Sequence, residues 1–462
     1  MRMLLFVAAL LALALSACGQ NGEDDVFAWE QDAENPFYGE SLTVAVFGCQ
    51  RTPRLAQLYM DANPGVVIEV VQMVPIRYTL LQRDLSPELE IAREQLRTQL
   101  LGGQAPLLIQ SSLVNWQHRD FFVDWMPLIE AHPGFTDEAW FMEAFCAMAE
   151  YDGFLLAFPT GISYFYFSAN STVPGLAEEF AGRDSISMSG LIALYEAFGG
   201  LDSGLSMIPS NIPPWYEKWF SADFIDFQSG HVNFQSPEFV ALLETAGQIS
   251  KPITDSMLSD IVSVFDAGGD LWEPLAAHFM FMLEYATVPL NFSLLDGESV
   301  FKNPVPFVDE HGRLLVEAND SDMWSLSRAA TGIQQALALD FIRFAQDTTE
   351  PDVFAVQPAM VVAGLFHLNR ARLEYHTGEG VIYWLRFRYD RLLAPMDETL
   401  ERKLERIAKN LEREMTGLPV VPQGFLDFFD ETLEYLRLGF ITSHEAAARL
   451  QNRAALQIME GN

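Results

Sequence analysis

Five aromatic side chains are the candidates for recognition chemistry in this sequence: Tyr164, Tyr166, Trp215, Trp272 and Trp324. In the run "ISYFYFS", strand alternation places Tyr164, Tyr166 and Ser168 on one face and Phe165 and Phe167 on the other. A phenol combines apolar surface with a hydrogen bond, whereas phenylalanine suits packing. A solute with both apolar faces and polar edges is recognised by such aromatic platforms joined by amides and acids, without any reaction. Each tryptophan reads equally well as a core residue, and the choice needs its three-dimensional surroundings.

Groups that do covalent or acid–base chemistry are not arranged for it. The chain has no HExxH, CxxC, GxSxG, P-loop or dinucleotide-binding glycine pattern. Its eight histidines are scattered without metal-ligand spacing, and His231 and His278 read as surface or packing residues. Asp24 with Asp25, and Glu178 with Glu179, are adjacent pairs, whereas a glycosidase sets two carboxyl groups across the sugar bond. Among 63 acidic residues some pair always looks attractive, so none is nominated. No catalytic residue, metal ligand or cofactor is expected.

The elements that hold the aromatic residues follow from periodicity. "LTVAVF" at 42–47 reads as a buried strand; Thr52 then offers an N-cap with Pro53 in the first helical position, and Leu55, Leu58 and Tyr59 share a helical face. A second strand is expected at 66–73, a helix at 87–101 stopped by Gly102 and Gly103, and a short third strand at 107–110. Strands and helices alternating in this way build an α/β lobe on a largely parallel sheet. Ligands of such sheets sit outside the carboxyl ends of the strands, here at 48–51 and 110–116. Further helices are expected at 237–249 and along Ile333, Leu337, Phe341 and Phe344, with 278–290 returning to a sheet. Three closing helices carry Leu400, Leu404, Ile407 and Leu411; then Leu426, Phe429, Leu433 and Leu436 before Gly439; then Ala447, Leu450, Ala454 and Ile458, with Thr442 and Glu445 as a capping box. Between these regions "YDGFLLAFPT" runs to Pro159 and Thr160, and "ISYFYFS" follows. A core hairpin and a passage between two lobes both fit that break.

A chain of 462 residues exceeds what usually grows around one core, so two lobes are expected, and 50% apolar composition supports substantial cores. The formal charge of −35 repels nucleic acid backbones. Cys49 and Cys146 carry no framework spacing and read as separate or merely packed thiols, with a disulfide between them in an oxidising space as the alternative.

At the amino end, Arg2 precedes an apolar segment at 4–15 that is too short to span a bilayer and has the form of a signal peptide. "LSAC" at 15–18 resembles the lipobox of bacterial lipoproteins, which implies removal of 1–17 and lipidation of Cys18. The acidic, polar stretch that follows, to residue 40, reads as a tether.

Behind that lipobox, "LTVAVF" with "LAQLYMDANPGVVIEV" resembles the opening of the bacterial extracellular solute-binding proteins, family 1, of the sugar-importer type, the lipoprotein components of ABC transporters. "LRTQLLGGQAPLLIQSS" is similar to the family's helix and turn before the next strand; Leu107 takes the usual acidic position, so no polar ligand contact is carried over there. "FFVDWMPLIE", "EYDGFLLAFPTGISYFYFSANS", "VPFVDEHGRL", "IQQALALDFIRFAQ" and the closing "YLRLGFITSHEAAARLQNRAALQIME" continue the resemblance in order. It implies a type II periplasmic-binding-protein fold: α/β lobes at 41–158 plus 288–350 and at 159–287 plus 351–462, with a ligand cleft between them. It also implies a monomer, anchored by lipid on the extracytoplasmic face of the membrane, that captures a carbohydrate or related solute and delivers it to ABC permease subunits. The alternatives carried alongside are a ligand-presenting receptor for a membrane sensor and a secreted glycoside hydrolase.

Overall fold

The computed structural model describes residues 35–47, 51–74, 86–110, 114, 116–150, 154–209, 224–226, 231–251, 273–285, 300–309, 311–318, 323–346, 366–371, 409–417 and 423–461, with a few positions in 256–263. β1 (Ser41–Phe47) leads through α1 (Arg51–Ala62) to β2 (Val67–Val74), and α2 (Ser86–Leu101) leads to β3 (Leu108–Gln110). β1 pairs in parallel with both other strands. Alternation along β1 sends Leu42, Val44 and Val46 into one core with Leu55 and Tyr59 of α1. Ala45 and Ile109 enter another core with Ala92, Leu96 and Leu100 of α2, so each face of the sheet is covered by helix. α1 begins at Arg51, one residue ahead of the expected cap. Pro53 therefore lies in the first turn, where its missing N–H has no intrahelical acceptor to lose. α2 ends as its glycines predict: Gly103 takes φ +65°, its N–H donates to the Leu100 carbonyl (3.1 Å), and Gln104 donates to that of Gln99 (2.8 Å).

α3 (Trp125–Ala131) is capped by Asp124, whose carboxylate accepts from Met126 N–H (3.1 Å) and Leu155 N–H (3.0 Å). α4 (Met142–Glu150) and the two-residue β4 (Phe158–Pro159) follow. At Thr160 the chain leaves the first sheet. β5 (Gly161–Asn170) belongs to a second one and is buried along its whole length. The expected alternation divides its side chains: Ile162, Tyr164 and Tyr166 join the core of the first sheet and α4, while Phe165, Phe167 and Ala169 face a separate core.

That second core is built under α5 (Leu176–Ala181), α6 (Met188–Ala197) and α7 (Pro237–Ile249). Next come β6 (Phe281–Tyr285), β7 (Phe301–Pro306), β8 (Leu314–Ala318), β9 (Met323–Leu326), α8 (Gly332–Ala345), β10 (Phe366–His367), β11 (Met415–Gly417), α9 (Gln423–Arg437) and α10 (Ser443–Gly461). β5 pairs antiparallel with β6, β7, β8 and β10, and β8 pairs in parallel with β11. β9 instead enters the first sheet between β3 and β4, giving the order β2-β1-β3-β9-β4.

The molecule is a bilobed α/β structure with two open sheets. Residues 301–318 pair with the second sheet, and the chain returns to the first only between 318 and 323. Strand-forming patterns do not specify which sheet a strand joins, so this register was invisible in sequence. Thr442 and Glu445 form the expected capping box, with Glu445 N–H on the Thr442 hydroxyl (3.2 Å) and Thr442 N–H on the carboxylate (2.8 Å). Leu400, Leu404 and Ile407 lie outside the described residues; Leu411 is buried.

Candidate functional site

Trp324 stands at the point where the strands of the first sheet end. It lies in register with Gln110, the last residue of β3, and with Phe158 of β4. Its carbonyl accepts from the Trp125 indole N–H at 2.8 Å, which fixes the backbone beneath the ring. Gln110 Oε1 accepts from the Phe47 N–H at 2.7 Å, tying the carboxyl ends of β1 and β3 together. The β1–β2 register slips between Val46 and Phe47 at the same level.

Behind Trp324 lies a cavity of about 20 Å³. Thr52 in the first turn of α1, Thr160 at the passage between sheets, and Gln346 at the end of α8 give it polar groups; Leu55, Phe341 and Ile342 give it apolar wall. Gln346 caps α8, its N–H on the carbonyls of Arg343 and Phe344. All three polar residues are buried. The place agrees with the expectation for an α/β sheet, whose ligands gather at the carboxyl ends of its strands.

Of the aromatic candidates, the three among the described residues do not share one cavity. Trp324 is half-buried and lines this cavity. Tyr164 and Tyr166 do not: they are 1% and 4% exposed, within the core between the two sheets and α4. The Tyr164 hydroxyl accepts from Asn410 Nδ2 at 3.2 Å. In this conformation neither tyrosine offers a ring face to solvent, and the structural cause is that β5 is covered on both sides. Trp215, Trp272 and Cys18 lie outside the described residues, as do positions 48–50 and 111–113 of the two expected ligand loops.

A larger cavity, about 480 Å³, opens between α4 and β11, lined by Glu143, Cys146, Arg313 and Glu414. Arg313 is committed to Asp309 (Nε–Oδ2 2.8 Å). Cys146 is a free thiol at the surface, and Cys49 lies outside the described residues; partial burial of the sulfur and the charges of Glu143, Glu130 and Asp137 raise its pKa, which makes it a poor nucleophile.

A polar cluster holds α8 to the helices beside it. The Tyr59 hydroxyl donates to Asp340 Oδ2 (2.8 Å), Arg343 Nη2 to Asp340 Oδ1 (2.7 Å), and Gly134 N–H to His132 Nδ1 (2.9 Å). Burial, with the nearby Arg343 charge, lowers the His132 pKa to about 4. The Tyr59 phenol moves up, through burial and the adjacent Asp340 carboxylate. Among the described residues no group of three or more His, Cys, Asp or Glu side chains is placed to hold a metal ion. Nor, among them, is any helix long and apolar enough to cross a membrane.

Sequence reasoning took Thr52 for a helix cap and did not single out Thr160 or Gln346. Thr160 follows Pro159 directly at the break in the apolar run, which is a readable signal. Gln346 has none.

No family model matches the chain, and no curated protein matches it in sequence. Solved structures do. The sugar-binding protein MalE from Xanthomonas citri superposes with a TM-score of 0.56 at 13% identity, over 91% of this chain and 98% of its own. A periplasmic oligogalacturonide binding protein from Yersinia enterocolitica gives 0.56 at 14%, over 91% and 99%. An extracellular solute-binding protein family 1 structure from Alicyclobacillus acidocaldarius gives 0.51 at 13%, over 90% and 98%. With its two open sheets and repeated chain crossings, the protein has the type II periplasmic-binding-protein fold that these structures share.

Proposed function

We propose that the protein is a solute-binding lipoprotein, lipidated at Cys18, that captures a carbohydrate or related solute between its lobes and presents it to an ABC-type permease. The observation that carries this reading is the position of Trp324: an indole at the carboxyl edge of the first sheet, over a cavity that includes the residue where the chain passes into the second sheet. An aromatic face there stacks on a sugar's CH surface, while polar side chains reach hydroxyls. The sugar class draws support from two structures of the same fold, the sugar-binding protein and the oligogalacturonide binding protein. Trp215 and Trp272 are proposed as further platforms, and Tyr164 and Tyr166 as contacts reached only if the lobes rearrange. Binding, closure and release need no reacting group on the protein.

A thermal-shift screen of mono- and oligosaccharides, followed by calorimetry, tests this, because a cleft ligand stabilises the folded state by mass action. At least one saccharide raises Tm, and Trp324→Ala weakens its binding by about 1–3 kcal/mol. Failure of the whole panel beside tight binding of a peptide or metal complex overturns the substrate class. For the anchor, Cys18→Ser releases the protein from the membrane; unchanged retention with no lipid on the recovered N-terminal peptide refutes lipidation.

A further inference from the structure

The Oε1 atom of Gln346 is buried and makes no hydrogen bond among the described residues, and the residue itself is only 3% exposed. A buried carbonyl oxygen without a partner is rare, because water has been given up and nothing has replaced it. Gln346 lines the cavity behind Trp324 together with the hydroxyl-bearing Thr52 and Thr160. About 20 Å³ exceeds the roughly 10–15 Å³ that one water molecule requires, and is far too small for a sugar ring. Cavities of this size stay dry when their walls are wholly apolar, whereas this one has three polar side chains in its wall.

We propose that the cavity is a binding site for a single water molecule, which donates one O–H to Gln346 Oε1 and lies beside the hydroxyls of Thr52 and Thr160. The position gives the water a structural task. Thr160 is the first passage between the sheets: β4 ends immediately before it and β5 begins immediately after. Its carbonyl accepts from the Leu368 N–H, just past β10, at 3.4 Å. Gln346 stands where α8 ends, the last described residue before the chain reaches β10 in the second sheet. Thr52 belongs to α1, which is packed on the first sheet. One water here joins two interlobe passages to the body of the first lobe. The site rests on the fold and on Gln346, not on solute capture, so a negative sugar screen leaves it standing.

The test pairs a high-resolution crystal structure of the unmutated protein with the thermal stability of Gln346→Met, a substitution of similar volume that removes the acceptor. The expected result is one water peak within hydrogen-bond distance of Gln346 Oε1, lost in Gln346→Met, with Tm falling by about 1–3 °C. An orphaned oxygen gives the opposite sign, because its removal relieves a desolvation cost and raises Tm. A cavity without density, a solute hydroxyl in that position, or a higher Tm for Gln346→Met each overturns the proposal. The density is read from the unmutated protein, so a variant that fails to fold leaves the question decided.

Discussion

Tyr164 shows how one residue type supports two chemistries that only packing separates. Its phenol suits a sugar hydroxyl as well as it suits Asn410, and burial in the core gives it to Asn410. Tyr164→Phe leaves the Asn410 amide short of a buried partner, so it lowers stability by about 1–3 kcal/mol in denaturant unfolding. Calorimetry on the same variant shows solute affinity within twofold of the parent if the residue acts only in the core. His132 makes the corresponding point for charge. Its folded pKa of about 4 lies below the ordinary value of 6.5, so in that interval the unfolded chain binds the extra proton. The stabilisation from a neutral His132 is therefore complete above pH 6.5 and is lost as pH falls towards 4. In thermal melts the parent loses Tm over that window more steeply than His132→Asn, whose amide oxygen still accepts from Gly134. Parallel slopes contradict the assignment.

At the scale of elements, periodicity and caps were legible because both are local. The helix at 237–249, the glycine-terminated α2, the Thr442–Glu445 box and the alternating faces of β5 follow from side-chain spacing and backbone hydrogen bonding over a few residues. Strand partnership is not local, which is why no pattern revealed that β7 and β8 pair with β5 or that Gln346 lies beside Thr160. The packing of α4 on β11 belongs to the same class. Gly417 looks like any loop glycine in sequence, yet a Cβ there meets the Ala147 carbonyl oxygen at 2.5 Å and the carbonyl carbon at 3.1 Å. Backbone cannot move aside as a flexible side chain does. Gly417→Ala therefore costs about 1–3 kcal/mol by forcing helix and strand apart; an unchanged unfolding midpoint shows that the two elements separate freely.

For the whole molecule, the resemblance in ordered islands of sequence anticipated the architecture. A fold can be read from the succession of elements, whereas a site depends on which loops meet, and parts of both expected ligand loops lie outside the described residues. Among the described residues the chain passes between sheets at Thr160, between 318 and 323, and between Gln346 and β10. A ligand touching both lobes then favours whichever arrangement brings more of its surface into contact. The most direct test of solute capture between moving lobes is small-angle X-ray scattering of the protein with and without the saccharide that most raises its Tm. A smaller radius of gyration on saturation, reversed when the sugar is removed, is the predicted result; an unchanged radius at saturating sugar contradicts closure of the lobes on their solute.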